Sequence, residues 1–181
     1  TVQVGMGEPM RARAGSMYRL DREWRGTTML EVRLPMHPKI TTRYNGAVAV
    51  ERGPLVYALK LGEEWTRVNA DKPHRELPHG DFEVRPSTPW NYGLIVDPDK
   101  PAESVRFAEQ PVGARPFAPD GAGMTATVRA RRIPRWTMEN GWAGEISPVD
   151  SNWAEPGRAP TNEPEEEVTL IPYGCTNVRI T

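Results

Sequence analysis

Hydrophobic and polar residues alternate along many short segments of this chain. In residues 28–34, Leu30, Val32 and Leu34 fall on one side, opposite two charged residues. Residues 124–131 repeat this period of two. Such alternation is the pattern of a β-strand with one face in the core, and no segment keeps the 3.6-residue period of an amphipathic helix.

Shorter runs share the alternation and are separated by turn residues. They are residues 48–50, 55–59, 82–84, 105–107, 168–170 and 178–180. Many short strands at regular spacing are typical of β-sandwiches and β-barrels. The sequence therefore predicts an all-β fold, an antiparallel β-sandwich with one to two sandwich units and long loops.

The strongest local prediction is a hairpin turn at Asn45-Gly46. Two alternating runs, residues 41–44 and 47–51, flank this pair. A type I′ turn needs positive φ at both central positions, and Asn followed by Gly tolerates this conformation best.

Turn residues between positions 60 and 80 predict a domain boundary. We assign residues 1–62 to the second part of a first β-sandwich and residues 63–181 to a C-terminal β-sandwich. The second part includes a long irregular loop, residues 133–164. Connections longer than about 12–15 residues are uncommon in compact domains, so this loop is either functional or adapted to a missing neighbouring domain.

Composition and charge exclude several classes of protein. The 16 glycines and 19 prolines among 181 residues leave few windows long enough for a helical bundle. A net charge of −1 predicts no nucleic-acid partner, because such binding depends on neutralising phosphates. No apolar run approaches the ~20 residues of a membrane span, so no membrane partner is predicted. Localisation is not indicated, since a single cysteine says little about compartment.

Four strings in order resemble one known protein family. They are GSMYRLDREW at residues 15–24, VERGPLVY at 50–57, TPWNYGL at 88–94 and VTLIPYGCT at 168–176. Together they are similar to the β-rich C-terminal part of glycoside hydrolase family 127, the β-L-arabinofuranosidase group, and they span nearly the whole chain.

This resemblance implies that the catalytic part lies elsewhere. Members of the family carry an (α/α)₆ barrel with the active site, a cysteine nucleophile and a zinc ion, followed by two β-sandwich domains. No motif of that barrel occurs in this sequence, so the resemblance assigns no catalytic residue and no zinc ligand here. It implies a non-catalytic accessory portion that packs against the barrel or orients it, in a parent enzyme that cleaves arabinofuranosyl linkages.

The residues that could bind a metal are few and scattered. Cys175 is the single cysteine, and the three histidines are His37, His74 and His79. A zinc site needs three or four ligands, and no pair of cysteines anchors this set. We predict no metal site and no cofactor in this chain, with Cys175 as a small buried hydrophobe.

Acidic residues in the long loop raise the alternative of a free-standing glycosidase. Glu139, Glu145 and Asp150 lie there among tryptophans, a mixture that suits a sugar site. Hydrolysis needs two carboxylates about 5–10 Å apart, and the sequence does not bring any two together.

Aromatic residues support another alternative, a carbohydrate-binding module. Candidate sugar-binding residues are Trp136, Trp142 and Trp153 in the loop, and Trp90 with Tyr92. Aromatic faces stack on the apolar faces of sugar rings. The competing interpretation is that these rings fill the core or cover a surface meant for the absent barrel.

Three further expectations concern packing, charge and assembly. Trp24 and Trp90 lie inside the family-like strings, and we expect both to be packing residues. The acidic run at 163–167 is predicted to be a solvated lead-in to the strand at residue 168, and the arginines at 129, 131, 132 and 135 a solvated face. An edge strand whose backbone N–H and C=O groups are unpaired could also pair with a second copy of the chain and form a homodimer.

Overall fold

The computed structural model describes residues 1–145 and 162–180, and β-strands dominate them. The strands are β1 Val2–Val4, β2 Leu30–Val32, β3 Pro38–Thr42, β4 Val48–Arg52, β5 Leu55–Leu59, β6 Glu63–Val68, β7 Asp81–Pro86, β8 Tyr92–Leu94, β9 Val105–Glu109, β10 Met124–Arg132, β11 Met138–Glu139, β12 Trp142–Ala143 and β13 Glu165–Pro172. A one-turn helix, α1, spans Pro101–Ser104, and two short 3-10 turns span Tyr44–Gly46 and Tyr173–Cys175. The strands pair antiparallel, so the prediction of an all-β, antiparallel fold is confirmed. In the described part of the chain, no helix has the length and hydropathy needed to cross a membrane.

The chain divides into two compact units, residues 1–36 and 37–181. In the smaller unit β1 pairs with β2, with Val2 opposite Val32 and Val4 opposite Leu30. Val2 is the one side chain of this unit that is buried. A two-stranded sheet with three residues in each strand has little apolar area to bury against itself.

A seven-stranded sheet that curls into a half-barrel forms the larger unit. Its strand order is β3-β4-β5-β13-β10-β8, and β9 also pairs with β10. The nine-residue strand β10 has two successive partners on one edge, β9 along residues 124–128 and β8 along residues 130–132. On its other edge β10 pairs with β13, so it lies at the centre of the fold.

The main core lies on one face of the curled sheet. Ala126, Val128 and Ala130 of β10 are buried, as their alternation predicts. The other buried members of this core are Ile40, Val50, Tyr57, Leu59, Leu61, Val96, Val105, Val168 and Leu170. Val178 and Ile180 pack against it outside any strand, where the Ile180 carbonyl accepts a hydrogen bond from Leu59 N at 2.9 Å.

The turn between β3 and β4 has the predicted conformation. Asn45 and Gly46 have φ values of 52° and 76°. Ala47 N donates to the carbonyl oxygen of Tyr44 at 3.1 Å and closes a four-residue turn. Positive φ at both central positions is the type I′ geometry that matches the twist of two paired strands, and the prediction is confirmed.

A separate two-stranded ribbon occupies part of the predicted boundary region. Strand β6 pairs with β7, with Trp65 opposite Val84. The rings of Trp65 and Phe82 pack edge to face with centroids 5.9 Å apart. Strands from both sides of residue 62 also share the main sheet, because β5 pairs with β13. The division into sandwiches at 1–62 and 63–181 stays a prediction.

The arginine cluster pairs with the acidic run, so the prediction of an isolated solvated face is wrong. Residues 165–167 are exposed, as predicted, although they belong to strand β13 itself. Arg129 and Arg131 donate to the carboxylate of Glu165 at 3.1 and 2.8 Å. Arg106 and Glu167 form another ion pair. Strand β13 begins at Glu165, and the pairs with Arg129 and Arg131 of the neighbouring strand β10 stabilise its first residues.

Candidate functional site

Trp90 and Trp136, two of the predicted sugar-binding residues, pack against each other. Their ring centroids lie 4.9 Å apart at an interplanar angle of 68°, and Trp90 also contacts the main core. The indole Nε1 of Trp136 donates to the carbonyl oxygen of Gly144 at 2.7 Å. These contacts hold the segment after β10 against the sheet, and they favour the packing interpretation for both rings.

Asn91 holds the same segment, although no pattern in the sequence assigns it this role. Its side-chain amide donates to the carbonyl oxygens of Ile133 and Trp136 at 2.9 and 3.1 Å. Its backbone carbonyl accepts a hydrogen bond from Ile133 N at 2.7 Å. A single asparagine between two aromatic residues has no periodic pattern, so its burial could not be predicted from sequence.

Part of the predicted irregular loop is a hairpin made by β11 and β12. Asn140 and Gly141 form its turn with φ values of 52° and 87°, the same Asn-Gly chemistry as the first turn. This arrangement leaves Trp142 78% exposed. Beyond the hairpin, Glu145 accepts a hydrogen bond from the Tyr44 hydroxyl at 2.9 Å. Residues 146–161, which include Trp153 and Asp150, lie outside the described residues.

Tyr92, the remaining predicted sugar-binding residue, begins β8 and lines a cavity of about 550 Å³. Its hydroxyl donates to Glu166 Oε2 at 3.1 Å. Burial and the neighbouring Glu166 carboxylate both raise the pKa of Tyr92, so the hydroxyl keeps its proton. The other lining residues are 59–63, 88–89, 119–120 and 168–169.

Charged side chains in the cavity lining already have partners in the protein. Lys60 Nζ lies 2.8 Å from Asp120 Oδ1, and the hydrogen bond from this ammonium lowers the pKa of Asp120. Glu63 accepts four hydrogen bonds at 2.7–3.2 Å from the side chains of Thr176, Asn177 and Trp65 and from the backbone N–H of Asn177. Burial alone would raise the pKa of Glu63, but these donors outweigh it and lower the pKa.

A second candidate surface lies on residues 1–36. Large apolar side chains are exposed there, namely Met6, Met10, Met17, Tyr18, Trp24, Met29, Leu30, Val32 and Leu34. We call these nine side chains the apolar face of residues 1–36. Trp24, for which the sequence predicts packing, is 56% exposed. A concentration of exposed apolar side chains is typical of an interaction surface.

Cys175 is buried beside Ile171 and Ala122, and the prediction of a small buried hydrophobe is confirmed. Its Sγ lies 3.4 Å from the carbonyl oxygen of Pro116. Burial raises the pKa of this thiol, which opposes formation of a thiolate nucleophile. Among residues 1–145 and 162–180, no group of three His, Cys, Asp or Glu side chains is placed to hold a metal ion.

Comparisons with family models, curated proteins and solved structures found no match to this chain. The resemblance to glycoside hydrolase family 127 therefore stays a hypothesis that rests on the four strings of the sequence.

Proposed function

We propose that this chain is a non-catalytic accessory β-domain of a longer, family 127-like glycoside hydrolase, and that it packs against and orients a catalytic (α/α)₆ barrel. The parent enzyme would cleave arabinofuranosyl linkages. The observation that carries this proposal is the apolar face of residues 1–36.

The strongest support for a covering partner comes from the side chains of β2 and of the residues just after it. Leu30, Val32 and Leu34 alternate as a core-facing strand does, yet they are 42%, 59% and 78% exposed. Each large apolar side chain gains roughly 1.5–3 kcal/mol when it leaves water, so this row favours a partner that covers it. Residues 1–36 do not bury it themselves.

Six charged residues of the same unit form three exposed ion pairs with each other. The ion pairs are Arg19–Asp21, Glu23–Arg25 and Glu31–Arg33. Exposed charges that pair with each other beside apolar side chains are compatible with the polar part of a protein interface.

The non-catalytic part of the proposal is supported by the reactive side chains. Cys175 is buried and its pKa is raised. Glu145 accepts a hydrogen bond from the Tyr44 hydroxyl. We expect no release of sugar when the purified chain is incubated with arabinofuranosyl substrates. Zinc-dependent turnover by the chain alone would contradict the proposal.

Docking can be tested by hydrogen exchange on the isolated chain and on the complete product of the reading frame that encodes it. We expect a barrel domain in that product and slower exchange at residues 28–34 than in the isolated chain. Val32→Lys should restore fast exchange there, whereas Val112→Lys, at a similarly exposed valine of the larger unit, should not.

Three results would overturn this role. The first is a reading frame that encodes no (α/α)₆ barrel. The second is equal exchange at residues 28–34 in both proteins. The third is a dimer of the isolated chain that Val32→Lys dissociates in sedimentation, because a second copy would then be what covers the apolar face.

A further inference from the structure

We infer that the cavity beside Tyr92 is a binding site for a small neutral saccharide. The cavity consists of residues from the larger unit, so this inference does not depend on the proposed docking role. Its volume of about 550 Å³ falls within the roughly 300–1,000 Å³ of small-molecule sites.

The cavity walls are held in place by the fold itself. Lys60 N donates to the carbonyl oxygen of Thr169 at 2.8 Å. This hydrogen bond holds the end of β5 against β13 on one side of the cavity. Gly62 N donates to Thr88 Oγ1 at 3.0 Å, which fixes the wall between β6 and the segment before β8. A site with fixed walls loses little entropy on binding, because its side chains and loops are already ordered.

The charges in the cavity do not favour a charged ligand, because each already has a partner in the protein. The ammonium of Lys60 is matched by Asp120, and the carboxylate of Glu63 is matched by four donors. A charged ligand therefore meets no unmatched opposite charge, and the exposed Lys60–Asp120 pair offers it only a weak electrostatic gain. A neutral ligand can hydrogen-bond to the same groups while the pairs stay intact.

The remaining lining has both features that recognise a saccharide. Lys60 and Asp120 supply a donor and an acceptor, and Thr88 supplies a hydroxyl. The ring of Tyr92 and the side chains of Pro89 and Pro119, none of which is buried, supply a non-polar surface. Sugars present many hydroxyl groups together with one apolar ring face, so a small neutral saccharide is the ligand class that uses both.

The first experiment is a titration of the ¹⁵N-labelled protein, followed by NMR. The neutral probes are L-arabinose, D-xylose, D-glucose and maltose, and the charged probes are D-glucuronate and D-glucosamine. At least one neutral sugar should bind with a Kd of about 1 mM, the affinity expected for the monosaccharides, which have about ten to twelve heavy atoms. Its shifts should concentrate at residues 60–63 and 88–92, and both charged sugars should bind more weakly.

Variants then locate the site. Tyr92→Ala should weaken binding about tenfold, whereas Tyr92→Phe, which keeps the ring, should bind nearly as the parent does. Asp120→Ala should also weaken binding, and its side chain is 92% exposed, so the fold does not depend on it. Trp142→Ala is the matched control at an exposed aromatic side chain on the hairpin, and it should leave affinity unchanged.

Three results would overturn the inference. One is the absence of any shift with the four neutral sugars. Another is binding that Trp142→Ala abolishes and the Tyr92 and Asp120 variants leave intact, which would move the site to the hairpin. The last is a charged sugar that binds more tightly than every neutral one.

Discussion

The carboxylate of Glu63 links β6 to the C-terminal segment of the chain. Thr176 and the backbone N–H of Asn177 donate to one of its oxygens, and the side chains of Asn177 and Trp65 donate to the other. These donors prefer the ionised carboxylate, which is why the pKa of Glu63 is lowered in the folded protein. A carboxylate with a lowered folded-state pKa stabilises the fold only while it is charged.

Glu63→Gln should therefore destabilise the protein in a pH-dependent way. The expected loss at pH 7 is about 1–2 kcal/mol, because a neutral amide accepts fewer and weaker hydrogen bonds. This difference should be complete above the ordinary pKa of 4.5 and should shrink as pH falls below it. Urea unfolding of both proteins from pH 7 to pH 3 measures the difference. Glu64→Gln, at an exposed neighbour, serves as the control, and a pH-independent loss for Glu63→Gln would contradict this account.

Among the secondary-structure elements, two hairpins depend on the same turn chemistry. Asn45-Gly46 joins β3 to β4, and Asn140-Gly141 joins β11 to β12, with positive φ at all four residues. The first pair is flanked by long alternating runs, whereas the strands around the second have only two residues each. The longer hairpin belongs to the main sheet, so its turn has the larger effect on global stability.

Gly46→Ala should destabilise the protein by roughly 1–2 kcal/mol, because a Cβ is strained at its φ of 76°. Gly174→Ala is the matched control, since a Cβ at Gly174 meets nothing within 4 Å and no positive φ opposes it. Chemical unfolding of the two variants and the parent provides the comparison. Equal effects of both substitutions would show that backbone conformation at Gly46 does not limit stability.

For the whole molecule, the buried apolar side chains are concentrated in residues 37–181. In residues 1–36 only Val2 is buried, whereas the larger unit contains both core clusters. Cooperative unfolding follows from a shared core, so the larger unit should fold independently.

Removal of residues 1–36 should leave cooperative thermal unfolding intact. We expect a change in Tm below about 4 °C, the shift that about 1 kcal/mol causes in a domain of this size. Near-ultraviolet circular dichroism during heating measures it. A broad or absent transition in the shortened protein would show that residues 1–36 contribute to the main core.

The parts of the fold predicted from sequence are those controlled by short-range patterns. The alternation at Ala126, Val128 and Ala130 predicts a strand with one buried face, and Asn45-Gly46 predicts a turn. Strand β6 was missed because Glu63 and Glu64 resemble a linker, and its partner β7 begins at residue 81. The candidate cavity could not be predicted for the same reason. Tyr92 is a candidate because it is aromatic, but no sequence pattern indicates that Lys60 and Asp120 lie near it.

The sequence by itself determined the all-β class, the first hairpin turn and the buried alternation, because each depends on neighbouring residues and on the fixed geometry of the extended chain. Only the tertiary structure decided that the arginines of β10 meet Glu165 of β13, that Trp90 packs on Trp136, and that four separate segments line an open cavity at Tyr92. These contacts join residues far apart in the chain. Their partners are set by which distant strands become neighbours in the sheet, and no local pattern specifies that order.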